Sequence, residues 1–242
     1  MPLKQVEILG VRVNSLTMAQ AVEAVQRFIA EKRCALVATA NAEMLMRSTE
    51  DRELKDILNH ADLVVPDGAG TVWAAGHLGE PMPERVAGYD LAQELMREAP
   101  ALGHRVYFFG SAPGVADKAK AKAEELYPGI QVVGTRNGFF TEADEPQIIA
   151  DIRAAEPDIL LVALGVPKQE KWLKKHLKEL GVPVSIGVGG TLDVMAGVMQ
   201  RAPLWMQKAK LEWLFRGLKQ PSRAGRLLAL PKFVLKVVAS KK

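Results

Sequence analysis

ILLVALGVPKQEKWLKKHLKEL, residues 159–180, holds one complete strand–loop–helix unit. A short apolar run, Ile159 to Ala163, ends in a glycine-bearing loop, LGVPKQE, and a helical pattern follows. Pro167 sits where proline suits the first helical turn. Outward from this unit the same rhythm repeats. Strands are expected at Ala35 to Thr39, Leu63 to Val65, Val106 to Phe109, Val132 to Val133 and Val184 to Ile186. Helices are expected at Met18 to Glu31, Leu91 to Glu98, Ala116 to Leu126 and Glu145 to Ala155. The first of these is capped by Thr17 with Gln20 three residues on, a capping-box pair. Strands alternating with helices predict an α/β fold, a Rossmann-like, largely parallel sheet with flanking helices.

The chain has 242 residues, 48% hydrophobic and 25% charged, enough to bury a substantial core. Its net charge of +4 conceals an asymmetry. Residues 201–242 carry eleven Lys or Arg against one acid, Glu212, a surplus of +10, which leaves −6 on the first 200 residues. We therefore expect a catalytic core over residues 1–198 and a basic, amphipathic helical appendage over 199–242, divided by Pro203, Pro221 and Pro231. The N-terminus MPLKQVEILGVRV does not read as a signal peptide, and no apolar run reaches the ~20 residues of a spanning helix. The single Cys34 excludes an intrachain disulfide and reads as a small buried hydrophobe.

Several chemistries are disfavoured. No G-x-G-x-x-G follows a predicted strand, no P-loop motif occurs, and the four histidines are isolated. No D-x-D is present to hold a divalent cation on a diphosphate. No metal and no cofactor are expected, so any bound phosphate is left to arginines, backbone amides and helix N-termini. The basic tail mixes cations with large apolar residues beside an acidic core, which argues against nucleic acid.

In an open parallel sheet the ligand lies beyond the carboxyl ends of the strands. The loops expected there are TANAE (39–43), PDGAG (66–70), GSAPG (110–114), GTRNGFF (134–140), LGVPKQE (164–170) and GVGGTLD (187–193). Asp67 reads either as a turn or N-cap aspartate or as a general base. Thr39 and Asn41 read as a helix cap or as ligand contacts, and Arg85 as a solvated arginine or a phosphate partner. Lys168 and Glu170 are open to a plain solvated reading. Phe139 or Phe140 either joins the core or stacks on a base.

These blocks, with PERVAGYDL, QRAPLWM and LEWLFR, resemble in order and spacing the WecG/TagA/CpsF family of bacterial glycosyltransferases over essentially the whole chain. Within it the sequence is most similar to the TagA branch. The resemblance implies an inverting, metal-independent transfer of N-acetylmannosamine from UDP-N-acetylmannosamine to undecaprenyl-diphosphate-linked N-acetylglucosamine, β1→4, in building the teichoic acid linkage unit. It implies Asp67 as the base and Arg85 as the partner of the leaving diphosphate. Thr39, Asn41, Phe139, Gln169 and Asp193 would bind the donor. Phe139 stands where relatives commonly carry tyrosine, so a contact through that hydroxyl is not available here. Arg216, Arg223 and Arg226 would reach the substrate diphosphates from an appendage lying on the cytoplasmic face of the cell membrane, and apolar surface there would allow a homodimer. A related UDP-sugar transferase and a non-catalytic peripheral-membrane binding module are the competing readings.

Overall fold

A computed structural model describes residues 3–203, 205–206, 215 and 229–240. Six parallel strands form the central sheet, β3 (Ala35–Ala40), β4 (Leu63–Pro66), β5 (Arg105–Gly110), β6 (Gln131–Arg136), β7 (Ile159–Ala163) and β8 (Val184–Gly187), in the order β4-β3-β8-β7-β5-β6. The expected α/β architecture is therefore observed. Each expected strand is present, most of them a residue or more longer than the sequence indicated.

Both faces of the sheet are covered, so its strands are apolar throughout rather than alternating. Val37, Val65, Phe108 and Leu161 face a core shared with α1 (Met18–Ala30), α5 (Gly88–Leu102), α6 (Val115–Leu126) and α9 (Thr191–Met195). Leu36, Phe109, Leu160 and Val162 face the opposite core, filled from α7 (Glu145–Ala154) and α8 (Lys168–Leu180). The Thr17–Gln20 capping box opens α1 as expected.

A third cluster closes the β4 edge. Val6, Ile8, Val11 and Val13 are the buried residues of a hairpin, β1 (Gln5–Ile8) and β2 (Val11–Asn14), which pack with α2 (Ala42–Ser48), α3 (Arg52–His60) and α4 (Ala69–His77). The turn residues Leu9 and Gly10 both have positive φ, the backbone of a type I′ hairpin. Val-x-Ile and Val-x-Val alternate on either side of Leu-Gly, so each strand turns one apolar face inward.

The last described helix, α10 (Ala229–Ser240), buries Phe233 and Val237 completely in the same cluster, against α2 and α4. Its opposite side exposes Leu235 and Val238, with Lys232 exposed beside them, while Lys236 reaches back to donate to the Thr49 hydroxyl at the end of α2, 2.7 Å. The end of the basic segment thus shares a core with the sheet domain.

One expected loop is partly strand. Residues 134–136 of GTRNGFF continue β6, with a register shift opposite Val106 and Tyr107. A Cβ on Gly134 would lie 2.3 Å from the Tyr107 ring, so glycine admits that ring against the edge strand.

Candidate active site

Because all six strands are parallel, their carboxyl ends and the loops that follow line one edge of the sheet. The chain leaves β5 towards β6 and leaves β7, its neighbour, in the opposite direction towards β8. That reversal is the topological switch point, where side-by-side strands open a crevice. Helices α2, α4, α6 and α8 all begin on this edge, each following a strand, and α5 returns to it through the hydrogen bond from Val86 N–H to the Pro66 carbonyl, 3.0 Å. Their positive dipole ends make the edge receptive to anions.

At the end of β3, Thr39 is buried and its hydroxyl donates to the Gly187 carbonyl at 2.9 Å, joining β3 to the end of β8. The first turn of α5 packs directly on it, since a Cβ on Gly88 would lie 2.7 Å from Thr39 Cγ2. Asn41 is the N-cap of α2, its Oδ1 accepting from Met44 N–H at 3.0 Å. Both residues therefore build the edge while standing on it.

Asp67 follows β4 and is half-buried, its amide donating to the Ala40 carbonyl at 2.9 Å. Gly68, with φ 88° and ψ 151°, then turns the chain into α4, a backbone combination open essentially to glycine. Thr71 locks the turn by donating to the carbonyls of Ala40 (2.9 Å) and Asp67 (3.2 Å). The cap of α4 is Gly68, without a side-chain bond, so Asp67 is not used as the N-cap. On the same flank a Cβ on Gly70 would lie 3.4 Å from Leu230 and 3.7 Å from Phe233, which places α10 against the turn that carries Asp67.

Arg85 lies 3.7 Å from Asp90 in the first turn of α5. Asp90 also receives a bidentate pair from Arg201, at 2.6 and 2.8 Å, whose guanidinium stacks over the Tyr89 ring at 4.6 Å. Burial pushes the Tyr89 phenol up in pKa. Two arginines thus share one carboxylate where the basic segment leaves the core, a link the sequence did not reveal.

Across the switch point, Asp193, in α9 after β8, accepts from the Ser111 hydroxyl after β5 at 3.2 Å, tying the two sides together. Phe140 enters the core with Phe109 and Trp172, and Lys168 caps its ring at 4.1 Å while donating to the Gly138 carbonyl. Phe139 points outward, 72% exposed. The two phenylalanines of NGFF thus divide into one core residue and one accessible ring.

Gln169 and Glu170 occupy the first turn of α8, and both are buried. A solvated reading of Glu170 is therefore overturned, and Lys168 is engaged rather than idle. With Trp172, Leu173, His176 and Leu180 they complete the buried stripe of α8. Gln169 Oε1 accepts from Gly165 N–H (3.2 Å) and Gly189 N–H (3.1 Å), and Nε2 donates to Glu170 Oε1 at 2.7 Å. Desolvation pushes the Glu170 carboxyl up to about 7. Arg216, Arg223 and Arg226 lie outside the described residues.

A model of the glycosyl transferase WecG/TagA/CpsF family matches residues 6–242. The chain belongs to this family. It is a glycosyltransferase by that membership. Staphylococcus aureus proteins of strains MW2, NCTC 8325 and MRSA252, each named N-acetylglucosaminyldiphosphoundecaprenol N-acetyl-beta-D-mannosaminyltransferase, are 32% identical over 240 residues, covering 98% of this chain and 94% of theirs. Among the described residues of this glycosyltransferase, no helix is long and apolar enough to cross a membrane.

Proposed function

We propose that the chain transfers N-acetylmannosamine from UDP-N-acetylmannosamine to undecaprenyl-diphosphate-linked N-acetylglucosamine, with inversion to a β1→4 bond, in synthesis of the teichoic acid linkage unit. The observation that carries this reading is the near full-length similarity to relatives of that name. The geometry supplies groups suited to it.

As the bond from C1 to the diphosphate breaks and the acceptor oxygen attacks, the hydroxyl proton becomes acidic, and a carboxylate is the fitting acceptor for it. Asp67 fills this role, held by a turn that three backbone or hydroxyl bonds define. Charge then develops on the departing UDP. Arg85 and the amides at the start of α8 stand for fixed positive potential there, which is worth more at a partly closed edge than in water. Asp193 and the accessible Phe139 ring serve the nucleotide and sugar, and Thr39, Asn41 and Gln169 shape the floor beneath them.

The basic segment provides membrane attachment at the cytoplasmic face. Exposed Leu235 and Val238 with Lys232 give α10 an interfacial side, where each Lys or Arg near an anionic surface contributes about 1 kcal/mol. Arg216, Arg223 and Arg226 complete the diphosphate site from that segment.

UDP release from UDP-N-acetylmannosamine, with and without lipid-diphosphate-GlcNAc and in EDTA, tests the reading. Acceptor-dependent release that survives EDTA and disappears in Asp67→Asn, with donor binding retained, is expected. Turnover in Asp67→Asn at the wild-type rate would remove the base, and silence with this donor but activity with another UDP-sugar would remove the donor assignment.

A further inference from the structure

The first turn of α8 carries two adjacent polar side chains, Gln169 and Glu170, each only 1% exposed. The Gln169 carbonyl oxygen sits between two backbone donors from different loops, Gly165 N–H after β7 and Gly189 N–H after β8. This fixes which end of the amide faces the loops. Rotated by half a turn, the amide nitrogen would oppose two N–H groups, and both half-buried glycine amides would lose this acceptor, a cost above one ordinary hydrogen bond. The opposite end of the amide is secured by Glu170 Oε1 at 2.7 Å. A carboxyl oxygen serves here whether the group is ionised or carries its proton on Oε2, because Oε1 remains an acceptor in both states. Glu170 Oε2 has no partner. Packing alone gives no reason for a carboxyl at this place, since an apolar side chain would fill it without desolvation cost.

The space around the pair is closed. A Cβ on Gly187, at the end of β8, would lie 2.6 Å from Gln169 Nε2 and 3.1 Å from Glu170 Oε1. The carbonyl of that same glycine accepts from Thr39, and the loop beyond it leads to Asp193. Through one amide, then, the pair touches the loops of β7 and β8 and the residue that joins β8 to β3.

We propose that Glu170 is a positioning residue for the donor site: by holding the Gln169 amide in one orientation it clamps the Gly165 and Gly189 loops at the spacing that receives the diphosphate of the nucleotide sugar. This rests on the donor-site reading above and adds to it a residue that touches no reacting atom. The requirement at position 170 is an acceptor oxygen aimed at Gln169, so glutamine can replace glutamate and an isosteric thioether cannot.

The test compares Glu170→Gln and Glu170→Met in the full chain. Hydrogen exchange, read by mass spectrometry on peptides covering 164–167 and 187–190 without any substrate, should rise about tenfold in Glu170→Met, the equivalent of one lost hydrogen bond, and stay near wild type in Glu170→Gln. Donor KM should rise about tenfold in Glu170→Met with a smaller loss in kcat, and Glu170→Gln should restore it. Wild-type exchange at both loops in Glu170→Met overturns the clamp. Equal impairment of the two variants also overturns it, because charge rather than an acceptor oxygen would then be what matters. If Glu170→Met fails to fold, Gly187→Ala displaces the pair from the other side and should loosen the same two loops; unchanged loops there would refute the proposal. A wild type inactive on UDP-N-acetylmannosamine would defeat the donor assignment and leave the exchange result to decide the clamp.

Discussion

Replacing Glu170 by glutamine should flatten the pH dependence of stability above pH 5. In the unfolded chain this glutamate titrates near 4.5, whereas burial lifts it to about 7 in the fold, opposed only by the Gln169 amide and its own backbone amide. Between those values the folded chain holds a proton that the unfolded chain has released. Folding therefore loses support as pH rises through the window, and above it the full cost of a buried carboxylate is present. The gap converts to at most about 3.5 kcal/mol, at ~1.4 kcal/mol per pH unit. Glu170→Gln carries no such cost and keeps the acceptor. Urea denaturation at pH 5 and pH 8.5, followed by tryptophan fluorescence, should show the variant gaining about 2.5 kcal/mol on wild type between the two pH values, because part of the window lies below pH 5, with all other titrations common to both. Stability curves that run parallel, within about 0.5 kcal/mol, would show that Glu170 is not held neutral by burial and would refute the reasoning.

Three further changes probe the edge that carries the site. Thr39→Val strands the Gly187 carbonyl in the interior and should cost about 1–3 kcal/mol in urea unfolding, with transfer falling as the ends of β3 and β8 part. Gly68→Ala forces a side chain onto a backbone at φ 88°, ψ 151°; about 1–3 kcal/mol of strain at the turn behind Asp67 should reduce kcat more than donor affinity in steady-state kinetics. Phe233→Ala empties a fully buried position between α10 and α4 and should destabilise by about 3–5 kcal/mol, detected by a lowered denaturation midpoint.

The sheet was legible because parallel strands buried on both faces are written as short apolar runs, and ILLVA, ALVAT and VYFF admit few other readings. Boundaries were less so. Where β6 runs into GTR, the glycine that looks like loop punctuation serves the Tyr107 ring. The hairpin at the N-terminus, with Leu9 in place of the usual Asn or Asp, lacked the turn residue that announces a type I′ turn. The loops of the site were legible as glycine-rich ends of strands, yet their internal wiring was not. Asp90 holding Arg85 and Arg201 joins positions far apart in the chain, and no spacing rule connects them.

Glu170 is the instructive case. Placed after a proline and among lysines, it resembles a solvated first-turn acid, which is where the helix dipole favours one. Yet the helical spacing of Trp172, Leu173, His176 and Leu180, the buried face of α8, reaches back to include 169 and 170, so the helix face already assigned both side chains to the interior. A polar pair on a buried stripe conflicts with local economy, and such conflicts gather where a fold must hold something other than itself. Here the thing held is the pair of loops after β7 and β8, the first of which borders the switch point of the sheet, the place where a parallel α/β fold binds its ligand. The same logic separates Asp67 from the capping aspartates nearby: Asp51 caps α3 through its side chain, while the helix after Asp67 begins at a glycine and leaves that role unused.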